Sequence, residues 1–464
     1  MKTAIVHFAK TLLAITLLVP TVTLAQTTVY SYQSGNFADP NIWTFTNGGV
    51  DFVTGTPNAD WNYVINPGHT ITLTANSQIV HTVSTRTVTI NGTLNIQTFT
   101  TQTFGRLQGN GTLRINTAGN LFPDVSDVSG SNFLQTGGGT VQYEGGAYTL
   151  PDFTTYNNLT IAGTGAKSFD PASPTTFTLN GNLTVNSTLT IGSTGAAPVV
   201  TLNISGNLTV NSGATLNVGT TTNAVQHAIN LSGNLTNSGT INLTNLTEGA
   251  NPFTTTGGSA RIRFTGATDN TVTLNVGHST RFGNFIVNKG TGQTNVLHVV
   301  VPAGAANPQF WGNGGTTNTS PAGQRFVITN GILRLGANIT IPNLISSGTG
   351  DYNLGGPETG APPSTPGEGE NGQLWNDGAT ISASGNALVV YGTYRQTAGS
   401  ITCANEGVLL GGVGNVIVEG GTLNARQFRP TGSNPSGAFR LLGGTVNINT
   451  PSPLNLTLSH IFLR

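Results

Sequence analysis

From about Tyr156 to Leu243 the chain alternates apolar and polar positions in short runs, broken by Asn, Gly and Ser. One word recurs: Asn158-Leu159-Thr160, Asn182-Leu183-Thr184, Asn207-Leu208-Thr209 and Asn234-Leu235-Thr236, at spacings of 24, 25 and 27 residues. Between these words lie other β-type runs, such as Thr188-Leu189-Thr190-Ile191 and Val200-Thr201-Leu202-Asn203-Ile204. About three strands per period, with no helical pattern between them, mark a solenoid built from one small unit. Within a strand alternate side chains share a face, so Leu183 and Val185 point in and Thr184 out. One such unit cannot bury its inward row alone; another stacked ~4.8 Å above it can. The predicted fold is therefore all-β, a right-handed parallel β-helix with an N-terminal capping segment.

Elsewhere the pattern varies. Residues 26–90 gather aromatics, among them Tyr30, Phe37, Trp43, Trp61 and Tyr63, as expected of a head that covers the open end of a stack. Coils are predicted over 91–346, with a duplicated block at 137–256 and 258–346. The duplication rests on Val141-Gln142-Tyr143 and Ile262-Arg263-Phe264, 121 residues apart. Residues 347–377 read as a Pro/Gly/acidic insertion loop, and 378–464 as further coils. In that last part Ile381/Ala383, Ile401/Cys403, Leu423/Ala425 and Val446/Ile448 align, which places Cys403 in an inward column beside alanines.

Only 7% of the 464 residues are charged, and the formal net charge is zero. An ordinary globular domain carries ~25% charged residues. The balance argues against a nucleic-acid partner, which needs a basic footprint, and against an anionic membrane surface. Residues 1–25 read as a signal peptide: Lys2 and Lys10, an apolar stretch from Thr11 to Val19, then Thr23-Leu24-Ala25. That stretch is short of the ~20 residues a membrane span needs, and no later segment is apolar enough to span. With a single Cys there is no disulfide framework.

Two phrases carry a family resemblance. The run from Trp43 through Asp60 to Val64-Ile65-Asn66-Pro67-Gly68-His69-Thr70-Ile71-Thr72-Leu73 resembles the head segment of many secreted β-helix proteins of Bacteroidota-type bacteria. The phrase running from Gly139-Thr140-Val141 through Asn158-Leu159-Thr160-Ile161 to Leu189-Thr190-Ile191-Gly192 is similar to repeated modules of type IX secretion substrates. The resemblance implies an exported, surface or adhesin-like protein and names no activity. It also implies a C-terminal sorting domain. None is recognisable before Arg464, so either the chain is truncated or the export route differs.

Parallel β-helices include polysaccharide lyases and glycoside hydrolases, so catalytic groups have to be weighed. Hydrolysis needs carboxylates ~5–9.5 Å apart on one face. Asp124, Asp127, Glu144, Asp152 and Asp170 do not repeat at the coil period. Arg261 and Arg263 flank Ile262 with Lys289 nearby, and read as a solvated strand face. His69 reads as a turn histidine. Outward Thr-x-Thr rows at Thr70/Thr72/Thr74 and Thr87/Thr89 raise ice binding, but other outward positions vary among Thr, Asn, Ser and Arg.

The long insertions hold the binding candidates: Trp311 in one, and Asp351, Tyr352, Glu368, Glu370, Trp375 and Asp377 in the other. Long loops are often functional. Their aromatics suit sugar stacking and their carboxylates suit sugar hydroxyls. Ca²⁺ could be held by the same oxygens, but no calcium-loop spacing supports it. The sequence predicts no catalytic residue, metal or cofactor. It predicts a monomeric, secreted or cell-surface scaffold for polysaccharide or cell-surface glycan; a lyase or hydrolase is the alternative.

Overall fold

The computed structural model describes residues 27–116, 122–151, 153–192, 195, 197–248, 250, 255–311, 325–342, 344, 352–354, 370–383, 387–431, 437–449 and 461–463. The expected signal peptide, Asp351 and Glu368 lie outside them. The described residues are all-β with long parallel sheets, apart from a 3-10 turn at Pro40–Ile42. Among them no helix is long and apolar enough to cross a membrane.

Three parallel ladders carry the middle of the chain. The first contains Thr140–Tyr143, Asn158–Ile161, Leu183–Val185, Leu208–Val210, Leu235–Asn237 and Asn270–Leu274. The second contains Lys167–Phe169, Thr188–Ile191, Thr215–Val218, Thr240–Asn242, Ser279–Phe282 and Gln309–Phe310. The third contains Thr175–Leu179, Val200–Ile204, Ala224–Leu231, Gly257–Phe264 and Asn284–Asn288. The chain visits them in that order, so each strand pairs with the one three places on.

The recurring word sets the register. Leu159 pairs with Leu183, Leu183 with Leu208, and Leu208 with Leu235, all fully buried. The leading asparagine has its own task. The Oδ1 of Asn158 accepts the backbone N–H of Asn182 at 2.9 Å. Asn182 does the same for Asn207, and Asn207 for Asn234, both at 2.8 Å. Each side chain thus satisfies a donor that the strand ladder leaves open at the corner. Asn207→Ala is expected to cost about 1 kcal/mol in chemical denaturation, and Asn207→Asp, which keeps the acceptor, distinctly less.

An inward polar group is tolerated where it is satisfied. Asn237 stands where the preceding periods carry Val185 and Val210. Its amide donates to the Thr280 hydroxyl at 2.8 Å and accepts from the Gly239 N–H at 2.9 Å. The column predicted through Cys403 is present: Ile381 pairs with Ile401, Cys403 with Ala425, and Ala425 with Ile448. Burial pushes the Cys403 thiol up to about 12, so it is an inert packing group.

At the N-terminal end Thr28–Ser31 pairs in parallel with Asn62–Ile65 on one side and antiparallel with Trp43–Thr44 on the other. Phe37, Trp43 and Tyr63 form a buried cluster with ring centroids 4.9–5.6 Å apart. The Trp43 indole donates to the Phe37 carbonyl at 2.9 Å. The edge is thereby turned back on itself and covered with rings.

Three expectations change. The segment 347–377 contributes strands: Tyr352–Leu354 pairs with Ala387–Val390, and Gly372–Ser382 continues the parallel stack. Trp375 and Asp377 therefore sit on a strand, where Leu374 and Asn376 point in. The similar phrases at Val141 and Ile262 lie in different ladders, the first and the third. Lys289 is fully buried rather than solvated. Its Nζ donates to the Thr265 carbonyl at 2.9 Å and to Asn270 Oδ1. Lys167 is buried likewise, on the carbonyls of Gly145, Ala162 and Gly165 at 2.6–2.9 Å for the three. In both, burial holds the ammonium below its ordinary pKa, and the stem fills space while the head caps turn carbonyls.

Candidate functional site

Of the binding candidates, the structure brings Trp375 and Asp377 together and locks both. Arg334, Trp375 and Arg395 are register partners on three successive strands of the first ladder's continuation. The two guanidinium groups lie over the Trp375 ring, each 4.4 Å from its centroid. The indole N–H donates to the Thr397 hydroxyl at 2.8 Å. One cation comes from the strand on either side, so neither ring face is open to a sugar.

Asp377 accepts from Arg334 Nε at 2.9 Å and from the Thr397 hydroxyl at 2.5 Å. Burial works against its ionisation, but the Thr397 hydroxyl and Arg334 outweigh burial and hold the carboxyl below its usual range. Arg395 is held by Glu419 at 2.8 Å. This is a self-neutralised brace of two cations and two carboxylates around one indole. Glu370 is engaged separately, its carbonyl accepting from Gln293 Nε2 at 2.6 Å. Tyr352 opens the strand that pairs with Leu388.

The same fate meets carboxylates elsewhere. Asp127 is bound to Arg106 at 2.6 Å, Glu144 to Arg114 at 2.8 Å and Glu406 to Arg429 at 2.9 Å. Each partner lies about one period away, so the ion pairs run along the stack. Among the described residues no three His, Cys, Asp or Glu side chains gather as a metal site would need.

Trp311 lies elsewhere, at the end of the second ladder. Its N–H donates to the Phe282 carbonyl at 2.8 Å, and the Arg281 guanidinium covers its ring at 4.1 Å. It lines a cleft of about 380 Å³ with Glu248, Asn307, Gln309 and Arg325. Arg325 is buried there, bridged to Glu248 and donating to the Phe310 carbonyl. A second cleft of about 400 Å³ holds Arg281, His278 and Asn242 and shares Asn307 and Gln309 with the first.

The third outward feature is a regular face on the first ladder. Thr160, Thr184, Thr209, Thr236 and Thr273 are successive register partners, one per period. They are half-buried, and their hydroxyls have no hydrogen-bond partner among the described residues. Beside them runs the asparagine column, closed by Asn234 Oδ1 accepting the Thr271 N–H at 2.8 Å. The outward threonines thus recur over more periods than the varied outward positions of the sequence suggested. The residues missed from sequence are the arginines. Arg334, Trp375 and Arg395 are 41 and 20 residues apart, and Arg281 and Trp311 are 30 apart, so no fixed period announces them. No family model, curated protein or solved structure matches the chain.

Proposed function

We propose that the chain is a right-handed parallel β-helix, secreted or cell-surface, monomeric and non-enzymatic, serving as an adhesin-like scaffold that binds polysaccharide. The observation that carries this reading is the row of five threonine hydroxyls without partners, set one per period beside a fixed asparagine column. Strand spacing repeats the row every ~4.8 Å, a flat, uncharged array of donors and acceptors suited to a repeating polymer of hydroxyls. The pairing of carboxylates with arginines supports the absence of catalysis, since glycoside hydrolysis needs free ones. Ice binding fits less well, because the neighbouring column is Asn except at Thr271.

The test is retention of the full chain in gels containing neutral and acidic polysaccharides, beside a variant carrying Thr184→Val, Thr209→Val and Thr236→Val. Valine keeps the shape and strand preference and removes the hydroxyl. Retention by at least one neutral polymer is expected, weakened about tenfold or more in the variant. Equal retention would overturn the role of the face. New reducing ends or absorbance from unsaturated products would instead establish the lyase or hydrolase reading.

A further inference from the structure

Arg281 departs from the charge plan of the rest of the chain. Seven other arginines, Arg86, Arg106, Arg114, Arg325, Arg334, Arg395 and Arg429, each have a carboxylate partner within 4 Å. Among the described residues no carboxylate pairs with Arg281. It is nevertheless held in place. Its Nε donates to Gln309 Oε1 at 3.0 Å, and its guanidinium lies flat over the Trp311 ring at 4.1 Å. A planar cation fixed by a ring and a side-chain amide, with its outer nitrogens uncommitted, is preorganised for a planar anion.

The surroundings select which anion. The two clefts flanking this pair, about 400 and 380 Å³, share Asn307 and Gln309 and so form one groove across the end of the second ladder. Each falls within the ~300–1,000 Å³ of small-molecule sites. The only carboxylate lining either is Glu248, and Arg325 already holds it. His278 adds no free charge, its ring nitrogens being engaged by the Thr280 hydroxyl at 2.8 Å and the Ala306 carbonyl at 2.9 Å. The groove therefore carries one uncompensated positive charge. Its other polar contributors are amides and hydroxyls, such as Asn242, Gln309 and Ser279, which match sugar hydroxyls.

We propose that this groove binds a uronic acid residue of an oligosaccharide, with the Arg281 fork on the sugar carboxylate and Trp311 backing it. The proposal rests on the reading of the chain as a polysaccharide-binding scaffold, but it uses a different face from the threonine row. No bond is made or broken.

Calorimetric titration of the full chain with oligogalacturonate, its methyl ester, a sulfated oligosaccharide and a neutral gluco-oligosaccharide tests it. Oligogalacturonate is expected to bind, more weakly as salt rises, and esterification to abolish binding. Arg281→Gln is expected to weaken it tenfold or more, with an unchanged melting temperature because Arg281 has no ion pair to lose. If that variant does not fold, Arg281→Lys keeps the charge without the fork and should still lose most of the affinity. Equal affinity for the ester, an unaffected variant, or equal binding of the sulfated sugar overturns the uronate assignment. If only the neutral sugar binds, and only through the threonine face, the proposal fails while the scaffold reading stands. Binding of none of them, in solution or in gels, fails both.

Discussion

Leu208→Ala is expected to destabilise the protein by about 3 kcal/mol, within the ~2–5 kcal/mol range of buried leucine truncations. Leu208 is fully buried, with Leu183 and Leu235 as its register partners one period to either side. Those neighbours are held by backbone ladders on both flanks, so they cannot move along the stack to fill the space. Cavity and lost transfer energy therefore add. Because each period contacts mainly its neighbours, the damage should be local: hydrogen exchange should quicken around Leu183–Val210 more than near Trp43. Thr209→Ala, one residue away but facing out, is the control, with an expected effect within about 0.5 kcal/mol. Denaturant unfolding of the two variants compares them directly. A Leu208→Ala cost as small as the control's would mean that the column is not a packed interior.

The repeated word made this column legible before any coordinates. Period-two alternation places Leu and Thr on opposite faces, and the recurrence fixes which Leu meets which. Cys403 was placed by the same logic, between alanine-bearing strands. What stayed hidden involves side chains whose partners lie at irregular distances along the chain. Insertions of unequal length separate Arg334 from Trp375 and Arg281 from Trp311, so no spacing rule applies. Trp375 and Asp377 were singled out as residues of a sugar-binding loop because the flanking Pro, Gly and Glu look loop-like. Leu374 and Asn376 pointing inward draw the segment into a strand, and the arginines of adjacent strands then claim both. Trp311 survives as a candidate because only one cation, Arg281, reaches it. Lys167 and Lys289 illustrate a further limit: a lone lysine beside glycine turns gives no hint that carbonyls will enclose it.

Acidification should expose a second weakness, centred on His227. This side chain is fully buried on the third ladder, in register with Ala260. The Val200 N–H donates to its Nδ1 at 3.1 Å, which leaves the proton of the neutral ring on Nε2. Nε2 has no partner among the described residues and faces Gly192, whose missing Cβ would stand 2.7 Å from it. Gly192 also has φ +70°, so glycine is required there twice over. A proton on Nδ1 would oppose the Val200 N–H with a charge enclosed in apolar surroundings, and burial lowers the pKa to about 4. The unfolded chain titrates near ~6.5. Above that value the imidazole is neutral in both states and its full contribution is present. As pH falls from ~6.5 towards 4 the unfolded state takes up the proton first, and about 3 kcal/mol is lost, with no further loss below. His81, His278 and His298 are also lowered, by burial first, and act in the same direction. Carboxylates such as Asp127, held at about 2 by Arg106, lose their contribution only below their ordinary range, so the two effects separate in pH. Melting temperatures from pH 7.5 to 4 should fall steeply for the native chain. His227→Gln, less stable at neutral pH, should show a distinctly shallower fall over that window. Parallel curves for the two proteins would locate the acid sensitivity elsewhere.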